Sequence, residues 1–169
     1  LVIRSPGEHV DAEGTEERTP TRILVAHDDS ESRWTVVEAV AALPLSDDIE
    51  ITVATVLPLI TCFRTDIIQT SGPEWHQRRK SALSNLESAA CTLRRATPYV
   101  DTILRQGSDE ALELLTLAGE LDASMIVLGH KGKSPIQRVF CGSVSARVTH
   151  RASCSVWVVR SPGQSSRRY

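Results

Sequence analysis

The stretch from Met125 to Arg160, MIVLGHKGKSPIQRVFCGSVSARVTHRASCSVWVVR, decides how the rest of the chain is organised. It opens on an apolar run, Met125-Ile126-Val127-Leu128, and closes on another, Val156-Trp157-Val158-Val159. Short continuous apolar runs are what a strand buried on both faces of a parallel sheet requires. Between them stand Gly129, Gly132 and Gly142, followed by a segment from Ser143 to about His150 with helical character. The stretch therefore predicts strand, glycine loop, helix, strand. Ligands of open α/β sheets sit beyond the carboxyl ends of the strands. The first N–H groups of a helix have no intrahelical partner and attract anions. Gly129 and Gly132 carry no Cβ, so their backbone can approach a phosphate closely. The hydroxyls of Ser143 and Ser145 add hydrogen bonds to the same anion.

Working outward, the chain alternates strand and helix signals. Arg22 to His27 is a buried strand around Ile23-Leu24-Val25-Ala26, ending at Asp28-Asp29-Ser30. Asp29 or Ser30 caps the next helix, whose stripe runs through Val36, Val37, Val40, Ala41 and Leu43 to Pro44. Ile49 to Leu57 is rich in β-branched residues and predicts the second strand. Pro58 to Pro73 shows no period and is expected as a loop over one side of a site. Glu74 to Ala96 predicts a long helix with Leu83, Leu86, Ala90 and Leu93 on one face. Tyr99 to Gln106 is the third strand, and Ser108 is expected to cap a helix to about Glu120, with Asp109 and Glu110 in its first turn. Five strands alternating with four helices predict an α/β fold: an open five-stranded parallel sheet, Rossmann-like, with helices on both faces.

Composition narrows the function classes. The chain has 169 residues, enough for one domain with a sizeable core. A formal net charge of −2 gives no reason to expect nucleic acid or an anionic membrane as partner. No apolar run approaches the ~18–20 residues that cross a bilayer. The first residues carry Arg4, Glu8 and Asp11 rather than the basic-then-apolar pattern of a signal peptide. Cys62, Cys91, Cys141 and Cys154 form no C-x-x-C, which argues against a zinc site and fits a reducing, cytoplasmic setting. Cys141, beside the glycine loop, reads as a small packed residue.

The spacing Gly129-x2-Gly132-x9-Gly142-Ser143, with the ending GSVSARVTHRASCSVWVVR, resembles the nucleotide-binding signature of the universal stress proteins. The resemblance covers roughly Thr21 to Arg160. It implies the strand order 3-2-1-4-5, which brings the end of the first strand, at Asp28, beside Gly129. It also implies ATP as ligand, with Mg2+ carried by the phosphates, and a regulatory stress-response role. The site residues it implies are Ala26, Asp28, Val56, Leu128, Gly129, Gly132, Gly142, Ser143, Val144 and Ser145. Asp28 would accept from the ribose or the adenine amine, Val56 would meet adenine through its main chain, and Leu128 would flank the purine. The family has Gly after the Asp where this chain has Asp29, an extra charge near the site. The resemblance further implies a homodimer through the last strand, Val156 to Val159. Two other readings share the fold: a nucleotide-free interaction module and a slow ATPase.

Other chemistry finds little support. Gly132-Lys133-Ser134 looks like the tail of a P-loop, but the first glycine of that motif would fall on Val127. Lys131, Lys133 and Arg138 can still add positive potential near phosphates. His9, His27, His76, His130 and His150 show no metal-ligand spacing. There is no G-x-S-x-G elbow, and no catalytic base or nucleophile is assigned.

Leu1 to Pro20 is polar and reads as a linker, and 161–169 as a C-terminal tail. Leu1-Val2-Ile3-Arg4-Ser5-Pro6-Gly7 parallels Trp157-Val158-Val159-Arg160-Ser161-Pro162-Gly163. With no methionine at Leu1, the expectation is a tandem protein in which Leu1 to Gly7 is the last strand of a preceding domain. The linker from Glu8 to Pro20 reaches up to roughly 45 Å at about 3.4 Å per residue. That is long enough for Leu1 to Arg4 to pair antiparallel with the edge at Val156 to Val159.

Overall fold

The structure, a computed structural model, describes residues 20–28, 33–46, 48–59, 72–130 and 142–160. In chain order the elements are β1 (Thr21–Ala26), α1 (Arg33–Ala41), β2 (Ile49–Pro58), α2 (Pro73–Leu93), β3 (Val100–Gly107), α3 (Glu110–Glu120), β4 (Met125–Gly129), α4 (Ser143–Arg151) and β5 (Ser155–Val159). The five strands form one sheet in the order β3-β2-β1-β4-β5, and every pairing is parallel. The fold expected from the sequence is the fold observed, with boundaries shifted by one to three residues, the largest shift at the end of α2, expected at Ala96 and found at Leu93.

Alternation along the central strands divides the core in two. Ile23 and Val25 of β1 face one way, with Ile51 and Val53 of β2 and Val127 of β4. They pack on Val36, Val37 and Val40 of α1 and on Leu86, Ala89, Ala90 and Leu93 of α2. Leu24 of β1, Ala54 of β2 and Ile126 and Leu128 of β4 face the other way. They pack on Ala111, Leu114, Leu117 and Ala118 of α3 and on Val148 of α4. A strand covered on both faces has no polar side to alternate with, which is why these runs are apolar throughout.

Three sequence expectations need correction. The α3 cap is Asp109, not Ser108: its Oδ1 accepts from the N–H groups of Ala111 at 3.1 Å and Leu112 at 3.2 Å. A carboxylate one residue closer to the helix meets those donors directly. Leu83 does not share the inner face of α2 but is exposed, and Ala82, Leu86, Ala89, Ala90 and Leu93 are buried instead. The small alanines allow α2 to lie close to the sheet, and a stripe traced through large residues overlooks them. Leu43 lies beyond the end of α1 and is exposed, and Ala41 is half-buried at its last position. The expected caps Asp29 and Ser30, most of the loop after Pro58, and the N-terminal and C-terminal segments lie outside the described residues.

Candidate functional site

The reversal of strand order falls at β1, which has β2 on one side and β4 on the other. At such a point successive crossovers leave in opposite directions and open a crevice at the carboxyl ends of the strands. The backbone leaving β1 is held there by two hydrogen bonds to β2. The His27 N–H donates to the Ala54 carbonyl at 2.8 Å, and its carbonyl accepts from the buried Thr55 Oγ1 at 2.8 Å. The buried His27 ring stands edge-on to Trp34 of α1, with centroids 5.9 Å apart. Asp28 therefore emerges from a fixed main chain. On the other side of the crevice, the His130 N–H donates to the Val159 carbonyl at 2.8 Å, which fixes how the chain leaves Gly129. The His130 Nδ1 atom is buried without a hydrogen-bond partner among the described residues.

Above these strand ends lies a small open cleft. Ala26 and Asp28 come from the end of β1, Leu128 and Gly129 from the end of β4, and Val144 and Ser145 from the first turn of α4. These six, more than a hundred positions apart at the extremes, were all singled out in the sequence. Gly142 is the N-cap of α4 and Ser143 its first residue, so both adjoin the cleft. Val56 lies on β2, half-buried against the core beneath α3 and α4, and is not among the cleft-lining residues. Gly132, Lys131, Lys133, Arg138 and Cys141 lie outside the described residues. Two further lining residues, Glu110 and Leu114, come from α3 and were missed. Their only signal is position, since Glu110 opens the helix that follows β3 and Leu114 lies one turn on.

The two helices that flank the cleft begin differently. α3 is capped by Asp109 and carries Glu110 and Glu113 in its first turn. α4 begins at Gly142 with φ −52 and ψ 157, without a side-chain cap among the described residues and without an acidic residue in its first turn. Its basic residues, His150 and Arg151, stand in the last turn, where the negative end of the helix favours them. The buried Ser145 hydroxyl donates back to the Gly142 carbonyl at 3.0 Å, so its proton is used within the turn. Arg147 of α4 reaches across and hydrogen-bonds Asp109 Oδ2. That guanidinium holds the Asp109 carboxyl below its ordinary value, with help from the N–H groups of Leu112 and Ala111. The same contact pushes the Arg147 pKa up.

What this geometry defines is an α/β domain with a cleft at its switch point, floored by apolar side chains and facing a helix N-terminus. The universal stress protein family profile matches residues 20–160, and the chain belongs to that family. A Staphylococcus haemolyticus protein bearing the universal stress protein name is 29% identical over 143 residues, covering 84% of this chain and 86% of that one. Among solved structures, a universal stress protein in complex with cAMP aligns with a TM-score of 0.60 at 21% identity, over 84% of this chain and 98% of that one. The universal stress protein from Archaeoglobus fulgidus in complex with dAMP aligns with a TM-score of 0.58 at 22% identity, over 83% and 98%. Among the described residues no group of three or more His, Cys, Asp or Glu is placed to hold a metal ion. None of the described helices is long and apolar enough to cross a membrane.

Proposed function

We propose that this domain binds ATP in the switch-point cleft and acts as a cytoplasmic, nucleotide-responsive regulatory module in a stress response. The observation that carries the reading is the uncapped N-terminus of α4 opening on the same cleft as Asp28 and the apolar floor. The N–H groups of Ser143, Val144 and Ser145 are the donors a phosphate needs, and the positive end of the helix favours its charge. Gly129, Gly132 and Gly142 keep side chains out of the phosphate path. Ala26, Leu128 and Val144 offer the flat apolar surface an adenine requires, Val56 meets the base through its main chain, and Asp28 accepts from ribose or base. Mg2+ would arrive with the phosphates and offset part of their charge. That one relative is solved with cAMP and another with dAMP supports an adenine nucleotide as the ligand class.

Calorimetry tests the proposal. Wild-type protein binds ATP, and Gly132→Val and Gly142→Val lose that binding while remaining folded by circular dichroism. Equal affinity in all three proteins overturns the site. The absorbance ratio and mass spectrum of the freshly purified protein report whether nucleotide is already carried.

The assembly half of the proposal is a homodimer through β5. Val156 and Val159 of that strand are buried in the core, while Trp157 and Val158 are only half-buried, and β5 is an edge of the sheet. An apolar edge invites pairing with a second chain. Val158→Lys is expected to shift the sedimenting mass to that of a monomer, and an unchanged mass counts against pairing there.

A further inference from the structure

The cleft is divided by chemistry. Its donor end is the first turn of α4, its floor is Ala26, Leu114, Leu128 and Val144, and its remaining polar side chains include two carboxylates, Asp28 and Glu110. Resting on the nucleotide reading above, we propose that Glu110 is a second ligand-reading carboxylate. It accepts a hydrogen bond from an N–H or O–H donor on the nucleoside half of the ligand, and so sets specificity together with Asp28.

The chemistry of the side chain makes the assignment. An ionised carboxylate only accepts hydrogen bonds, so it cannot serve a phosphate and repels one. A neutral donor, either an exocyclic amine or a sugar hydroxyl, is what it can hold. Its place in the first turn of α3 favours the negative charge, because the positive end of that helix faces it. Arg147, the cation that bridges from α4, pairs with Asp109, one residue before Glu110. Asp28 and Glu110 each also interact with another group of the protein. A charge-assisted hydrogen bond in such a position is stronger than one between neutral groups.

The test is calorimetry of AMP and ATP on wild type, Glu110→Gln and Glu113→Gln, repeated with IMP, 2′-deoxy-AMP and 3′-deoxy-AMP. Glu113→Gln removes the same charge from the same turn, but that side chain lies over Gly107 rather than in the cleft. Glu110→Gln is expected to weaken AMP and ATP by the same factor, about tenfold for one lost bond to a charged group. Glu113→Gln leaves both unchanged. One analogue shows a matching loss on wild type and no further loss on Glu110→Gln: IMP identifies the amine, and the deoxy analogues identify the hydroxyl. Unchanged AMP affinity in Glu110→Gln overturns the inference. So does tighter ATP binding with AMP unaltered, which marks Glu110 as a repelling charge only. Losses that add for every analogue overturn it as well. Wild-type protein that binds no nucleotide at all overturns the ATP reading first, and this inference with it.

Discussion

α3 and α4 lie side by side on the same face of the sheet and begin at the same end of it, yet among the described residues one N-terminus is closed and the other is open. At α3 the chain supplies its own anion: Asp109 accepts from two of the first N–H groups, and Glu110 and Glu113 follow. At α4 the cap is Gly142, with no side-chain acceptor and no acid in the first turn. A helix that fills its own N-terminus gains stability there, whereas one that leaves it open keeps donors and partial positive charge for something else. The contrast separates structural from functional use of the same element. Arg147 of α4 pairs with the α3 cap, so its positive charge is spent on the Asp109 carboxylate.

The largest expected effect comes from making α4 resemble α3. Gly142→Asp places a capping carboxylate on the open N-terminus. ATP affinity should fall by about a hundredfold or more, since charge-assisted bonds to a phosphate are worth roughly 1.5–3 kcal/mol each. The melting temperature should hold or rise, because Asp is a better cap than Gly. Calorimetry and a thermal melt on one sample check both, and undiminished binding by the capped helix removes the contrast.

The converse change opens α3. Asp109→Ala removes the cap and the Arg147 contact together and should lower the melting temperature by roughly a few degrees, with far less effect on ATP. Asp109→Asn keeps a capping oxygen and loses only the charge, which isolates the pH dependence. The folded carboxyl lies below its ordinary value, chiefly through Arg147. Its contribution is therefore fully present above the unfolded value, near about 4, and is lost as pH falls through the lower folded value. Urea melts at stepped pH should show wild type losing stability across that acid window more steeply than Asp109→Asn.

The smallest effect concerns how α3 is seated. A Cβ on Gly107, at the end of β3, would run into the Glu113 side chain. Gly107→Ala should cost up to about 1 kcal/mol as that side chain swings aside. It should leave ATP affinity unchanged, because neither residue lines the cleft. A large loss of binding would show that α3 positions the site more tightly than its closed N-terminus suggests.

The fold was legible because the strands are written as unbroken apolar runs and the helices as stripes bounded by Gly, Pro and acids. Strand order was not: alternation gives parallel strands, and the order came from the resemblance carried by the glycine spacing. The strand and α4 sides of the cleft were legible for the same reason, since Asp28, Leu128, Gly129, Val144 and Ser145 sit at or near element ends. Glu110 and Leu114 were not, because in the sequence they belong to an ordinary amphipathic helix, and only the sheet order brings that helix, which packs on β2 and β3, to the cleft at the ends of β1 and β4. The α3 cap was misplaced by one residue because Ser108 and Asp109 are both good caps, and the choice depends on which oxygen reaches the Ala111 and Leu112 amides.

The contrast between the two helices is tested most directly by following backbone amide signals in nuclear magnetic resonance as ATP is added. The N–H resonances of Ser143, Val144 and Ser145 should shift most and saturate together, while those of Ala111 and Leu112 stay in place behind the Asp109 carboxylate. Shifts centred on Ala111 and Leu112, or none at Ser143 to Ser145 at millimolar ATP, would contradict it.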